Sequence, residues 1–205
     1  MQSDGYPDEA GARQLGQDGS GVPSLMDYLL RRDRERFFGA VATMRHLIEG
    51  LQDVQLATPE PSSRRLYLVL EDGFRLRADL ASGGVRLMIF FIALTFHPDP
   101  PKLILLEEPE MGVHPRRLGE IVSLLREITN GTHGGHPAQI ILTTHSPYLL
   151  DHINLDEDQV LVFRRNEDGS RCAEPVDAER LSLFLDEFML GEVWYNQGEE
   201  GLIRR

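Results

Sequence analysis

At 205 residues and 41% hydrophobic composition, the chain can bury one ordinary core, and two full domains would be crowded. Its net charge of -12 gathers at the end: residues 151–205 carry 14 acidic against 6 basic groups, a poor surface for the phosphate backbone of a nucleic acid. The single cysteine, Cys172, makes no internal disulfide, the start MQSDGYPDEA has no leader pattern, and the longest near-apolar run, Leu87 to Leu94, is far short of the roughly 18 residues of a membrane span. A cytoplasmic chain with no membrane contact is expected.

Residues 1–23, rich in Gly, Asp, Gln and Ser, read as a flexible lead-in. From Ser24 to about Gly50, Leu25, Tyr28, Leu29, Phe37, Phe38, Val41, Met44, Leu47, Ile48 and Leu51 recur at helical spacing, predicting one or two amphipathic helices. Leu66 to Leu70 and Phe74 to Arg77 flank Glu71-Asp72-Gly73, where an Asp-Gly pair between alternating runs signals a β-hairpin. Ser82-Gly83-Gly84 then opens a stretch of helix length that is apolar on nearly every side and so must be buried all round.

Leu103-Ile104-Leu105-Leu106 and Gln139-Ile140-Ile141-Leu142 read as buried parallel strands. Between them Leu118, Ile121, Val122, Leu124, Leu125 and Ile128 make one helix face opened by Pro115, which predicts a β-α-β unit with a right-handed crossover. The intervening Gly131 to His136 holds two histidines, too few for a structural zinc site, and reads as a solvated loop. The tail predicts a hairpin at Glu167-Asp168-Gly169, then a helix from about Ala178 to Leu190 stopped by Gly191.

Ligands of open parallel sheets gather at the carboxyl ends of strands. Here those ends read Glu107-Glu108-Pro109-Glu110 and Thr143-Thr144-His145-Ser146-Pro147. Two adjacent carboxylates can divide two tasks in nucleotide hydrolysis: Glu107 would hold Mg²⁺ and Glu108 would orient the attacking water, with Glu110 the next candidate base. His145 could donate a hydrogen bond to a γ-phosphate. The glycine-rich helix start at Ser82 to Gly84 offers backbone N–H groups and the positive end of a helix dipole to a phosphate.

Together these residues resemble the prokaryotic AAA/ABC-type ATPases related to the OLD, RecF and SMC-like proteins. Leu80-Ala81-Ser82-Gly83-Gly84 is similar to the signature loop, Leu103 through Glu110 to Walker B, Gly112-Val113-His114-Pro115 to the D-loop, and Thr143 to Pro147 to the switch-histidine loop. Glu107 stands where Walker B often has Asp, and Ala81 stands where the signature has Ser directly after Leu. The resemblance implies an α/β fold, the C-terminal part of a P-loop NTPase of the ABC-head type, with parallel strands, flanking helices and a β-hairpin over residues 24–205. It implies ATP and Mg²⁺ as cofactors, with Glu107 on the metal, Glu108 as catalytic base, His145 as γ-phosphate sensor, and Ser82, Gly83, Gly84 and His114 toward the nucleotide of a partner. A homodimer or head-to-head assembly follows, with DNA as a further partner that the charge does not support.

A phosphate-binding loop reads G-x-x-x-x-G-K-[ST], because backbone N–H groups wrap the phosphates while Lys neutralises them. The one lysine is Lys102, with no glycine loop before it. The chain is therefore expected to be the C-terminal portion of a longer ATPase, a truncated product, or one subunit of a split enzyme. By itself it should be inactive, needing a Walker A-bearing segment or separate subunit. The competing reading is a non-catalytic interaction module descended from such an ATPase.

Overall fold

The computed structural model describes residues 13–60, 63–133, 135–166, 168–185 and 187–203. The chain divides into two compact units. The first runs up to Leu106 and includes Met111–Val113 and Ser123–Leu142; the second comprises Glu107–Glu110, His114–Val122 and the chain from Thr143 onward.

The first unit opens with α1 (Val22–Arg32) and α2 (Arg34–Leu47). Asp33 serves both: its N–H donates to the Leu29 carbonyl at 2.8 Å, and its carboxylate accepts the Arg36 N–H at 3.2 Å as an N-cap. Leu25, Met26, Leu29, Ala40 and Met44 are fully buried on the facing sides of the two helices. Helix α1 starts at Val22, two residues earlier than periodicity suggests, because Gly21 turns the chain at φ 89° and Pro23 fits the first helical turn. Residues 1–12 of the expected lead-in lie outside the described residues. Residues 13–21 carry hydrogen-bonded turns, with Gly16 N–H on Ser20 O and Gly19 N–H on Gly16 O.

Strands β1 (Leu51–Glu60), β2 (Ser63–Leu70) and β3 (Arg75–Arg77) form an antiparallel sheet in that order. The hairpin predicted at Asp72-Gly73 joins β2 to β3, pairing Tyr67 with Arg77, Leu68 with Leu76 and Val69 with Arg75. Strand β1 is a finding of the structure, and it takes Leu51, whose spacing continues the helical series but which lies past the end of α2 at Leu47. A register shift between Leu51 and Asp53 puts the buried side chains of Leu51 and Val54 three positions apart, which breaks the alternation by which a strand is read.

Helix α3 (Gly83–Thr95) is buried all round only in its second half. Met88, Ile89, Phe91, Ile92, Ala93 and Leu94 are each no more than 4% exposed, whereas Ser82 and Gly83 at its start lie on the surface.

Strands β4 (Leu103–Glu107) and β5 (Gln139–Thr143) pair with each other. Gln139 N–H donates to Lys102 O at 2.8 Å, and Glu108 N–H donates to Thr143 O at 3.0 Å, so the strands run parallel as predicted. The crossover is α4 (Leu118–Asn130), which buries Leu118, Ile121, Val122, Leu124, Leu125 and Ile128. Pro115 opens a single 3₁₀ turn, Pro115–Arg117, ahead of the helix. The expectation of strands buried on both faces is overturned. Leu103, Leu105 and Ile141 are 49%, 69% and 51% exposed, and because side chains alternate along a strand, the described residues cover only one face of the pair.

In the second unit, α5 (Pro147–Leu150) is capped by Ser146, whose Oγ accepts the Leu149 N–H at 3.3 Å. The predicted tail hairpin is β6 (Leu161–Arg165) against β7 (Arg171–Pro175); Glu167 of its turn lies outside the described residues. Three helices follow, α6 (Ala178–Leu185), α7 (Leu190–Gln197) and α8 (Glu199–Leu202). Leu150, Val162, Leu181, Leu190, Val193, Leu202 and Ile203 make the core of this unit.

The single helix expected to end at Gly191 is therefore two helices, and Gly191 lies in the first turn of the second. A Cβ there would stand 2.0 Å from the Pro147 carbonyl oxygen, and the Gly191 N–H donates to Asp151 Oδ1 at 2.9 Å. Glycine at this position serves close packing of α7 on α5, where the sequence suggested a helix stop.

Candidate functional site

The acidic turn after β4 and the histidine loop after β5 emerge at the same end of two paired strands. Glu108 holds them together through its backbone, since its N–H takes the Thr143 carbonyl at 3.0 Å. Its φ of 43° is in the left-handed region, and it is the only non-glycine among the described residues with positive φ. That conformation costs on the order of 1–2 kcal/mol for an L-residue, and such strain gathers where chemistry requires it.

A second tie runs through side chains. Glu110 Oε1 accepts the Thr144 hydroxyl at 2.5 Å and the His145 backbone N–H at 3.3 Å. Thr144 Oγ1 accepts the Ser146 N–H at 3.0 Å, so the histidine loop is braced at three consecutive residues. Glu107 and His145 are exposed, Glu108 is half-buried, and Pro109 between the carboxylates is buried. The arrangement gathers two carboxylates and one imidazole, exposed or half-buried, at one hydrogen-bonded edge. Nothing in the sequence singled out Thr144. A threonine and a carboxylate at neighbouring strand ends was the available signal, readable only once the two strands were known to pair.

In the first unit, Ser82 caps α3, its Oγ accepting the Val85 N–H at 3.4 Å. The amides of Gly83 and Gly84 stand at the open helix start, where the first N–H groups have no intrahelical acceptor. A Cβ on Gly84 would meet the Gly112 carbonyl oxygen at 2.9 Å, so the signature-like and D-loop-like stretches approach each other closely in that unit. His114 is exposed in the second unit and spends its ring on local structure, with Nδ1 accepting the Arg116 N–H at 3.2 Å. His133 and His136, in the loop read as solvated, take separate carboxylates: Glu127 at 2.7 Å and Asp99 at 3.3 Å.

The donor set at the strand ends suits Mg²⁺, a hard cation held by one or two carboxylates with phosphate and water filling its remaining positions. Among the described residues no three His, Cys, Asp or Glu groups gather to cage a metal, so such an ion would take most of its ligands from phosphate and water. No helix among them is long and apolar enough to cross a membrane.

Comparison with known proteins identifies this fold. An SMC head bound to the C-winged helix domain of ScpA matches with a TM-score of 0.57 at 13% identity, covering 88% of this chain and 58% of that one. The SMC head of Pyrococcus furiosus, with an extended coiled coil and bound to the C-terminal domain of ScpA, gives 0.56 at 12% identity, covering 79% and 39%. An SMC ATPase structure concerned with ATP-driven dimerization and DNA-stimulated activation gives 0.53 at 14% identity, covering 79% and 96%. At such identities the likeness is one of fold, the ATPase head of the P-loop NTPase class. No curated protein sequence matches the chain. Residues 18–151 match the family described as "AAA domain, putative AbiEii toxin, Type IV TA system". Since that match spans well over half of the 205 residues and takes in the glycine-rich helix start, the acidic turn and the histidine loop, the chain belongs to this AAA domain family.

Proposed function

We propose that residues 24–205 are the C-terminal part of an ABC-type ATPase head and supply the hydrolytic and sensing groups of an ATP site. The observation that carries this is the junction of the acidic turn and the histidine loop, tied by the Glu108 N–H to Thr143 O bond and by Glu110. Glu107 would hold Mg²⁺. Glu108, fixed by its strained backbone, orients the attacking water, and His145 donates to the γ-phosphate. When bound, Mg²⁺ supplies charge neutralisation between the phosphates. Ser82, Gly83, Gly84 and His114 face the nucleotide of a second head, making ATP the glue of a head-to-head dimer; a dimer driven by ATP is what one of the SMC ATPase structures describes.

The phosphate-wrapping loop comes from a Walker A-bearing segment or subunit. Two observations support this: no G-x-x-x-x-G-K-[ST] stretch occurs in the chain, and Leu103, Leu105 and Ile141 form an apolar face that the described residues leave uncovered on a parallel strand pair, a kind of sheet that is ordinarily covered on both sides. The setting is cytoplasmic, with a role in DNA repair or phage defence; the toxin–antitoxin description of the family favours defence.

Calorimetric titration with Mg-ATP and a phosphate-release assay test the reading. The chain alone binds weakly and turns over at background. Coexpressed with the Walker A-bearing product of a neighbouring reading frame, it hydrolyses ATP, and Glu108→Gln slows that turnover about 10²–10⁴-fold while ATP-driven association survives. Micromolar binding with steady turnover by the chain alone would reject the missing-loop reading, and unchanged turnover in the Gln variant would reject Glu108 as base.

A further inference from the structure

Glu110 follows the acidic pair by two residues and ties the histidine loop, but has no part in the hydrolysis as proposed so far. Its engagement is specific. Oε1 holds the Thr144 hydroxyl at 2.5 Å and the His145 N–H at 3.3 Å. Through Thr144 Oγ1 the same carboxylate reaches the Ser146 N–H, and Ser146 in turn caps α5. Oε2 is buried and has no hydrogen-bond partner among the described residues.

These contacts take Glu110 out of the running as a reserve base. A base must present a free oxygen to water within hydrogen-bond reach. One oxygen of Glu110 already holds two donors, and the other is closed off from solvent. We infer instead that Glu110 is a positioning residue: it sets the backbone of His145 against the turn that carries Glu108, so that sensor and base move as one piece. The turn and the loop are linked at residue 108 by backbone and at residue 110 by side chain, and the two ties clamp Thr143 through Ser146 from one side. A carboxylate is better here than a neutral acceptor, since charged acceptors make the stronger hydrogen bonds to N–H and O–H. The inference rests on the reading of His145 as γ-phosphate sensor.

The test has two arms. In the 205-residue chain, hydrogen exchange read by NMR compares wild type with Glu110→Ala, Glu110→Gln and Thr144→Val. Glu110→Ala speeds exchange at the His145 and Ser146 amides by about tenfold or more while β5 and α4 stay as protected as before. Thr144→Val exposes the Ser146 amide and leaves His145 protected. Glu110→Gln, which keeps an acceptor in place, recovers most of the protection. In the assembled ATPase, Glu110→Ala lowers kcat by about tenfold to a hundredfold with KM for Mg-ATP little changed, the mark of groups misplaced in the transition state, and Glu110→Gln restores part of it. Unchanged exchange at His145 in Glu110→Ala overturns the inference whatever the kinetics show. An active wild-type assembly with undiminished kcat in Glu110→Ala reduces Glu110 to a structural staple and overturns it too. An assembly in which wild type itself does not turn over ATP sinks the sensor reading on which the inference stands, and is told apart by the wild-type control.

Discussion

Helix α3 and the strand pair β4–β5 are about equally apolar in sequence and meet opposite fates. Along α3, Phe91, Ile92 and Ala93 are at most 1% exposed, while Leu105 on β4 is 69% exposed and Ile141 on β5 is 51% exposed. The helix finds its cover within its own unit, where α1 and α2 pack on it. Among the described residues the strands find cover on one side only. Apolar composition therefore states a demand for burial without saying whether the same chain meets it, and a segment left short of cover marks the place where something else is expected to lie.

The largest test of this contrast is Phe91→Ala. Removing a fully buried ring from the helix should cost about 3–5 kcal/mol, read as a lower denaturant midpoint with an unchanged slope. A loss below about 1 kcal/mol would mean that the helix is not packed as described. A smaller effect comes from the polar end of the same buried run. His97, 6% exposed, is a neutral ring whose Nε2–H donates to the Arg13 carbonyl at 2.7 Å and whose Nδ1 accepts the Asp99 N–H at 3.0 Å. Burial pushes its pKa below the ordinary 6.5, outweighing the Arg13 carbonyl and the Asp99 charge, which pull it up. The unfolded chain then binds the proton more readily than the folded one, so the His97 contribution is fully present above about pH 6.5 and is lost as pH falls through the folded value. Urea midpoints measured at about pH 7.5 and about pH 5 should show that fall in wild type and a flatter response in His97→Gln. The smallest effect is predicted for Leu105→Gln, which should leave the stability of the isolated chain within about 0.5 kcal/mol while abolishing association with the Walker A-bearing partner proposed above. A large loss of stability would mean that the strand face is covered after all.

Much of this architecture is legible in the sequence. The apolar tetrads, the helix face from Leu118 to Ile128 and the Asp-Gly hairpin follow from periodicity, and the parallel pairing follows from them, so Glu107, Glu108 and His145 could be placed at one strand end. Strand β1 was hidden by its bulge, which shifts the phase of burial in mid-strand. Gly191 was misread because a glycine near a helix end signals a stop by default, whereas here the reason is the Pro147 carbonyl, more than forty residues earlier in the chain. The half-exposure of β4 and β5 could not be read at all, since periodicity is silent about what lies opposite a strand. The bond from Glu110 to Thr144 spans 34 residues and depends on how two loops meet. Local pattern carries no such information.

Every described residue with positive φ is a glycine except Glu108; Gly50, Gly73, Gly112, Gly131, Gly169 and Gly198 all follow the rule. Folding alone asks for glycine at 108, and under the role proposed for Glu108 a lineage relieved of that chemistry would be a single codon change from a more relaxed backbone. Keeping a carboxylate there means tolerating permanent tension between durability and turnover. On the role proposed for Glu108 as base, position 108 is where selection for heat resistance and selection for hydrolysis pull in opposite directions.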